Sequence, residues 1–136
     1  MKLDIQTSKA MYEKFKGKIE AKMCYSNIFR MVTYMLPKFQ SGEYKVAYGY
    51  ISICDKSLYA RHCFIVCGDS VIDPTLFAAS GNLDVDYIIT KIYDNISDYT
   101  KAIEDNDFIP DLIRPLRELD KKMFLEMQEK GIYLIQ

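Results

Sequence analysis

Ala60-Arg61-His62-Cys63-Phe64-Ile65-Val66-Cys67-Gly68-Asp69-Ser70-Val71-Ile72-Asp73-Pro74-Thr75 is the stretch whose reading decides the fold, and it holds the only histidine of the chain. Two apolar runs flank Gly68-Asp69, a pair able to supply the positive backbone angles of a tight hairpin. That predicts a two-residue turn with Cys67 opposite Ser70. Counting outward, residue 64 faces 73 and 62 faces 75, so His62, Phe64, Val66, Val71, Asp73 and Thr75 share one side of the ribbon. His62 and Asp73 become diagonal neighbours, about 7 Å apart at Cα, within reach for a carboxylate to orient an imidazole. A slip of one residue would undo the pairing.

Composition narrows the field. At 136 residues the chain is one domain, residues 1–136, large enough to bury an ordinary core. With 49% hydrophobic residues and a net charge of -1, it has neither the low hydrophobicity of a disordered chain nor a basic field for nucleic acid. No polybasic run suggests a membrane surface and no segment has the length of a span, so neither nucleic acid nor membrane is expected as a partner. The start, Met1-Lys2-Leu3-Asp4-Ile5-Gln6, has no continuous apolar region, and a cytoplasmic protein is expected. Cysteines 24, 54, 63 and 67 are then expected as reduced thiols. A metal site is disfavoured, since Cys63 and Cys67 lie i, i+4 on a strand and the chain has no second histidine and no CxxC pair. No cofactor is called for.

Along the chain, Thr7 to Lys18 reads as a helix capped by Thr7 or Ser8, with Met11, Phe15 and Ile19 inward. Cys24, Ile28, Met31, Val32 and Met35 recur at helical spacing in a second helix that Pro37 ends. Tyr44 to Cys54 has strand composition, and Gly49 within it marks a bulge or a close backbone approach. Asp55 to Tyr59 reads as a loop and Leu76 to Leu83 as turns, followed by a strand over Val85 to Ile92. Ser97-Asp98 caps a short helix through Glu104. A last amphipathic helix runs from Asp111 or Arg114 to Lys130, with Leu116, Leu119, Met123, Phe124 and Met127 on one face and Gly131 closing it.

Cys24 therefore opens an apolar helix, where unpaired N–H groups and the helix dipole favour an anion. A cysteine at a helix start, a strand histidine, and an acid on the next strand are the groups thiol acyl transfer needs. The imidazole takes the thiol proton, and the carboxylate fixes its tautomer and stabilises the charged ring. Cys24 is the candidate nucleophile, His62 the general base and later acid, and Asp73 the orienting group. The Cys24 N–H offers one oxyanion donor; residues 18–23 contain no Gln or Asn to supply a second. Asn27, at i+3 from Cys24, either shapes the site or pairs within the core. Tyr50 either flanks the pocket or packs the sheet. Singly, each residue has a plainer reading, as a small core thiol, a half-buried ring or an Asp-Pro turn.

The set Cys24-Tyr25-Ser26-Asn27, Tyr48-Gly49-Tyr50, His62-Cys63-Phe64-Ile65-Val66 and Val71-Ile72-Asp73-Pro74-Thr75 resembles the transglutaminase-like branch of the papain-like cysteine enzymes, over about Met23 to Thr75. The resemblance implies an α+β domain with the cysteine helix packed on an antiparallel sheet that carries the histidine and the acid. It implies a thiol hydrolase or acyltransferase, of peptidase, deamidase or transglutaminase type, acting through a thioester on the amide bond of a peptide or protein. Two other readings stand beside it: a catalytically inactive module of the same fold that binds a protein partner, and a small-molecule acyltransferase fed by a thioester donor.

Overall fold

In the computed structural model, which describes residues 1–79 and 81–135, one mixed sheet is built from β1 (Lys2–Leu3), β2 (Lys45–Ile53), β3 (Asp55–Cys67), β4 (Ser70–Ile72), β5 (Tyr87–Tyr93) and β6 (Tyr133–Ile135). The order is β1-β4-β3-β2-β5, with β6 added alongside the first part of β3. The helices are α1 (Ile5–Lys14), α2 (Cys24–Tyr34), α3 (Leu36–Gln40), α4 (Ile96–Asp105) and α5 (Arg117–Glu129), so the class is α+β. The sheet is not purely antiparallel as expected. Its centre, β4-β3-β2-β5, is antiparallel, but β1 joins β4 and β6 joins β3 in parallel. Both parallel strands come from the chain's ends, far in sequence from their partners, where hairpin logic does not reach.

The hairpin pairs Cys67 with Ser70, Val66 with Val71 and Ile65 with Ile72, the register counted from the sequence. Gly68 alone supplies a positive φ, +58°. The preceding loop is absent: Asp55 to Tyr59 extends β3, and β2 turns directly into it at Cys54, whose φ is +24°. His62 is thus mid-strand.

Other boundaries move for local reasons. Asp4 caps α1 by accepting from the Thr7 N–H at 2.9 Å, so the helix starts before the expected Thr7 or Ser8. That places Ser8 inside the helix, where it is fully buried. Pro37 occupies the first turn of α3, a position that needs no N–H, after α2 has ended at Tyr34. Asn95, not Ser97-Asp98, caps α4. In α5 the buried face runs through Asp120 and Met127 while Leu119 is exposed, because Asp120 is drawn in by polar partners. The turns expected over Leu76 to Leu83 begin as a 3-10 turn, Pro74–Phe77; Ser80, within that stretch, lies outside the described residues.

Alternation along β3 sorts the core. Cys63 and Ile65 face a main cluster with Ile28 and Met31 of α2 and Tyr99 and Ile103 of α4. Phe64 and Val66 face the other way, into a cluster with Val71, Ala47, Leu3, Tyr87, Ile89 and Ile92. That second cluster draws on β1 and β5, opposite edges of the five-strand path, so the sheet curls about it. Tyr50, Tyr59 and Leu134 form a third cluster with Met127 of α5.

Gly49 controls the closest approach within the sheet. Its partner on β3 is His62, and beside it the register with β5 shifts, Tyr48 facing Lys91 but Gly49 facing Ile89. Thr90 is the extra residue of this bulge. A Cβ on residue 49 would run into the Ile88 backbone carbonyl. Gly49→Ala is therefore expected to destabilise the protein by about 1–3 kcal/mol in urea unfolding. A loss below about 0.5 kcal/mol would show that β5 can move aside.

Candidate active site

His62 and Asp73 meet as the register required. His62 Nε2 and Asp73 Oδ2 are 2.7 Å apart, both groups buried. With Nε2 committed to the carboxylate, Nδ1 is the ring nitrogen left to exchange a proton. Asp73 has two further ties. Tyr87 Oη donates to the same Oδ2 at 2.8 Å, and the Asp73 backbone N–H donates to Ser8 Oγ at 2.9 Å. Asp73 Oδ1 is buried with no hydrogen-bond partner among the described residues. The acid is thus held from α1 and β5 as well as by the histidine.

Rings fix the imidazole from its sides. Phe64 stacks near it, with centroids 6.0 Å apart, and Tyr87 completes a triangle of rings, 4.8 Å from Phe64 and 6.4 Å from His62. Tyr87 reaches this place because the bulge at Thr90 changes the phase of β5. Residues 87 and 89 before it and 92 after it all face the same cluster.

Cys24 is the first residue of α2, buried, and borders a cleft of about 760 Å³ together with His62 and Thr75. The approach to it is fixed by Asn27. The Glu20 N–H donates to Asn27 Oδ1 at 3.0 Å, and Asn27 Nδ2 donates to Glu20 O at 2.7 Å and to Thr75 Oγ1 at 3.0 Å. One fully buried side chain thereby ties the loop before Cys24 to the residue two places after Asp73. Lys22, in the left-handed region at φ +64°, turns the chain into the helix.

Electrostatics distinguish the groups. Burial opposes a charge on His62, but the charge and hydrogen bond of Asp73, with hydrogen bonding and charge from Cys24, outweigh it and raise the imidazolium to about 10. Cys63, fully buried on the opposite side of β3 from His62, has its thiol pushed well above the ordinary range, first by burial and then by the charge of Cys24. Cys54 is exposed at the β2–β3 turn and also borders the cleft, and Cys67 is half-buried outside it.

Tyr50 is fully buried and does not border the cleft; its hydroxyl donates to Asp120 Oδ1 at 3.0 Å. Arg61 pairs with the other oxygen of Asp120. Tyr50 therefore sets a second polar cluster between the sheet and α5, beside the cleft that Arg61 borders. Sequence reasoning missed Ser8, Thr75 and Tyr87 as site residues. Asp-Pro-Thr named Thr75 without a role, Ser8 was read as a cap, and Tyr87 stood in a segment whose alternation the bulge interrupts.

No protein-family model, no curated protein and no solved structure matches the chain. No helix among the described residues is long and apolar enough to cross a membrane.

His62, as the only histidine, gives a single imidazole titration by NMR. Its facing groups are Asp73, Tyr87 and Cys24. The midpoint is expected well above 6.5, and Asp73→Asn is expected to lower it sharply, since burial then acts with little opposition. Tyr87→Phe removes a donor competing for Asp73 Oδ2 and is expected to raise the midpoint by up to about one pH unit. A fall would contradict this account. The raised value also sets a stability window. His62's ionic contribution is complete below about pH 6.5 and is lost as pH rises through about 10, which the difference in urea unfolding between wild type and His62→Gln measures.

Proposed function

We propose that this chain is a small thiol hydrolase or acyltransferase of the transglutaminase-like, papain-like type, with Cys24 as nucleophile, His62 as acid and base, and Asp73 as the orienting group. The observation that carries this reading is the buried 2.7 Å contact between His62 Nε2 and Asp73 Oδ2 at a cleft that Cys24 also borders. An ion pair of this kind is expensive to bury for stability alone and is the arrangement that keeps a neighbouring thiolate in company with an imidazolium.

The chemistry follows from the groups present. The Cys24 sulfur, its proton held on His62 Nδ1, attacks the carbonyl carbon of an amide, and the carbonyl oxygen gains charge near the N–H groups of the first turn of α2. His62 protonates the amide nitrogen, the C–N bond breaks, and the amine leaves. The acyl group remains on Sγ as a thioester. Water or a second amine, losing a proton to His62, then displaces the thiol and releases an acid or a new amide. Peptide and protein amides are the substrates this proposal addresses.

Alkylation by iodoacetamide at pH 7, read at each cysteine by mass spectrometry, tests it. Cys24 is expected to react faster than Cys63 despite both being buried, and His62→Ala is expected to slow Cys24 by about 10²-fold. Asp73→Asn is expected to slow it as well while the protein still unfolds cooperatively. An unchanged Cys24 rate in His62→Ala would overturn the enzyme reading in favour of a protein-binding module.

A further inference from the structure

We propose that the substrate portion next to the attacked carbonyl is an uncharged apolar chain, seated against Ile51, Ile53, Leu76 and Val85 in the cleft beside Cys24. The proposal rests on the thiol reading above and specifies what that site accepts.

Three observations lead to it. The cleft, at about 760 Å³, is far larger than a carbonyl and a thiol require and lies in the range of sites that enclose a small ligand. Its lining includes the aliphatic Ile51, Ile53, Leu76 and Val85 among polar side chains such as Ser52 and Asn82. Ile53, Leu76 and Val85 are each half-buried, so part of their apolar surface is left uncovered inside a concavity and not scattered over a convex face.

Among the described residues, most charged side chains around the cleft are engaged with protein partners, the exposed Lys22 beside Cys24 being the exception. Lys56 pairs with Asp84 at 3.0 Å and with Asp86 at 3.3 Å, Arg61 pairs with Asp120, and Asp55 Oδ1 accepts from the Ser57 N–H and hydroxyl. A substrate carrying an ammonium would have to compete with these pairs, and an acidic one would meet a single cation outside them, Lys22, at the exposed rim, where water screens it. An apolar chain displaces water from the aliphatic wall and leaves the pairs intact. Burying each methylene there favours binding by up to about four-fold.

The cleft also constrains where the chain runs. Leu76 follows Thr75 in the turn after Asp73, and Val85 precedes β5. Apolar groups therefore flank the same segment that carries the acid, and a chain lying on them keeps its carbonyl near Sγ.

N-alkyl iodoacetamides test this without assuming which side of the scissile bond the chain occupies, since the tail is free to follow the wall in either direction. The intact protein is treated with iodoacetamide and its N-ethyl, N-butyl, N-hexyl, N-2-aminoethyl and N-carboxymethyl derivatives, and labelling rates are read at Cys24 and, as an internal reference outside the cleft, at Cys67. Rates at Cys24 are expected to climb with alkyl length, at least ten-fold from ethyl to hexyl. Cys67 should remain within two-fold, and neither charged tail should exceed iodoacetamide itself. Val85→Asp, in a segment outside helices and strands, is expected to collapse the hexyl-to-ethyl ratio at Cys24; Leu76→Asn supplies the same test from the other wall.

A flat series at Cys24, a parallel rise at Cys67, or a charged tail reacting fastest would each overturn the proposal. The thiol reading fails separately, if His62→Ala leaves the iodoacetamide rate at Cys24 unchanged. Activity of Cys24 and its taste for apolar tails are thus decided by different comparisons.

Discussion

A carboxylate with no exposure to water, Asp73, is the constraint on which the rest of the site depends. Burying such a group is costly unless donors reach it, and this fold holds the residue from three distant stretches of chain. His62 comes from the long central strand and Tyr87 from the edge strand β5, while Ser8 of the first helix accepts from the Asp73 backbone N–H. Each contact fixes an element against the sheet. The short parallel strand β1 and helix α1 are held at the β4 edge by the same arrangement, since Lys2 and Leu3 pair with Ser70 and Val71 just before the acid. Holding Asp73 in place, by its carboxylate and by its backbone N–H, and docking the N-terminal segment are therefore a single structural problem.

Asn27 solves a matching problem on the cysteine side. Its amide saturates the backbone of Glu20 in both directions and still reaches Thr75, so the loop that delivers Cys24 and the turn that follows Asp73 have a common anchor. The two halves of the candidate site come from opposite sides of β3, and this amide joins them directly. A fully buried amide with these partners is a rigid strut, because leaving any of its donors or acceptors unpaired costs more than the bond itself is worth.

Much of this was legible in the chain. The hairpin register followed from Gly68 and strict alternation, and it alone was enough to put His62 and Asp73 in contact. Cys24 at a helix start was visible from the spacing of Ile28, Met31 and Val32. What stayed hidden depends on contacts remote in sequence. Ser8 looked like a cap because its burial depends on Asp73, 65 positions away. Leu119 and Asp120 exchanged their expected places because Tyr50 and Arg61 pull the aspartate inward, which hydrophobic periodicity does not register. Strands β1 and β6 are too short to announce themselves, and they pair in parallel with partners far along the chain.

The bulge at Thr90 has a meaning for how this chain tolerates change in length. Because β5 switches phase there, the residues before and after it are locked to opposite parities, and the side chains of Tyr87 and Ile92 meet in one cluster only while the extra residue is present. Loss of one residue within β5 would turn half of the strand inside out and carry the Tyr87 hydroxyl away from Asp73. The segment before the strand is tied at its end, where Asp86 exchanges hydrogen bonds with Ser52 and Lys56 pairs with Asp84 and Asp86, and is freer ahead of that. Variation in length is therefore better tolerated around Gly81 to Leu83 than a few positions later, so a short stretch of sequence joins an adaptable border of the cleft to one of its least negotiable supports.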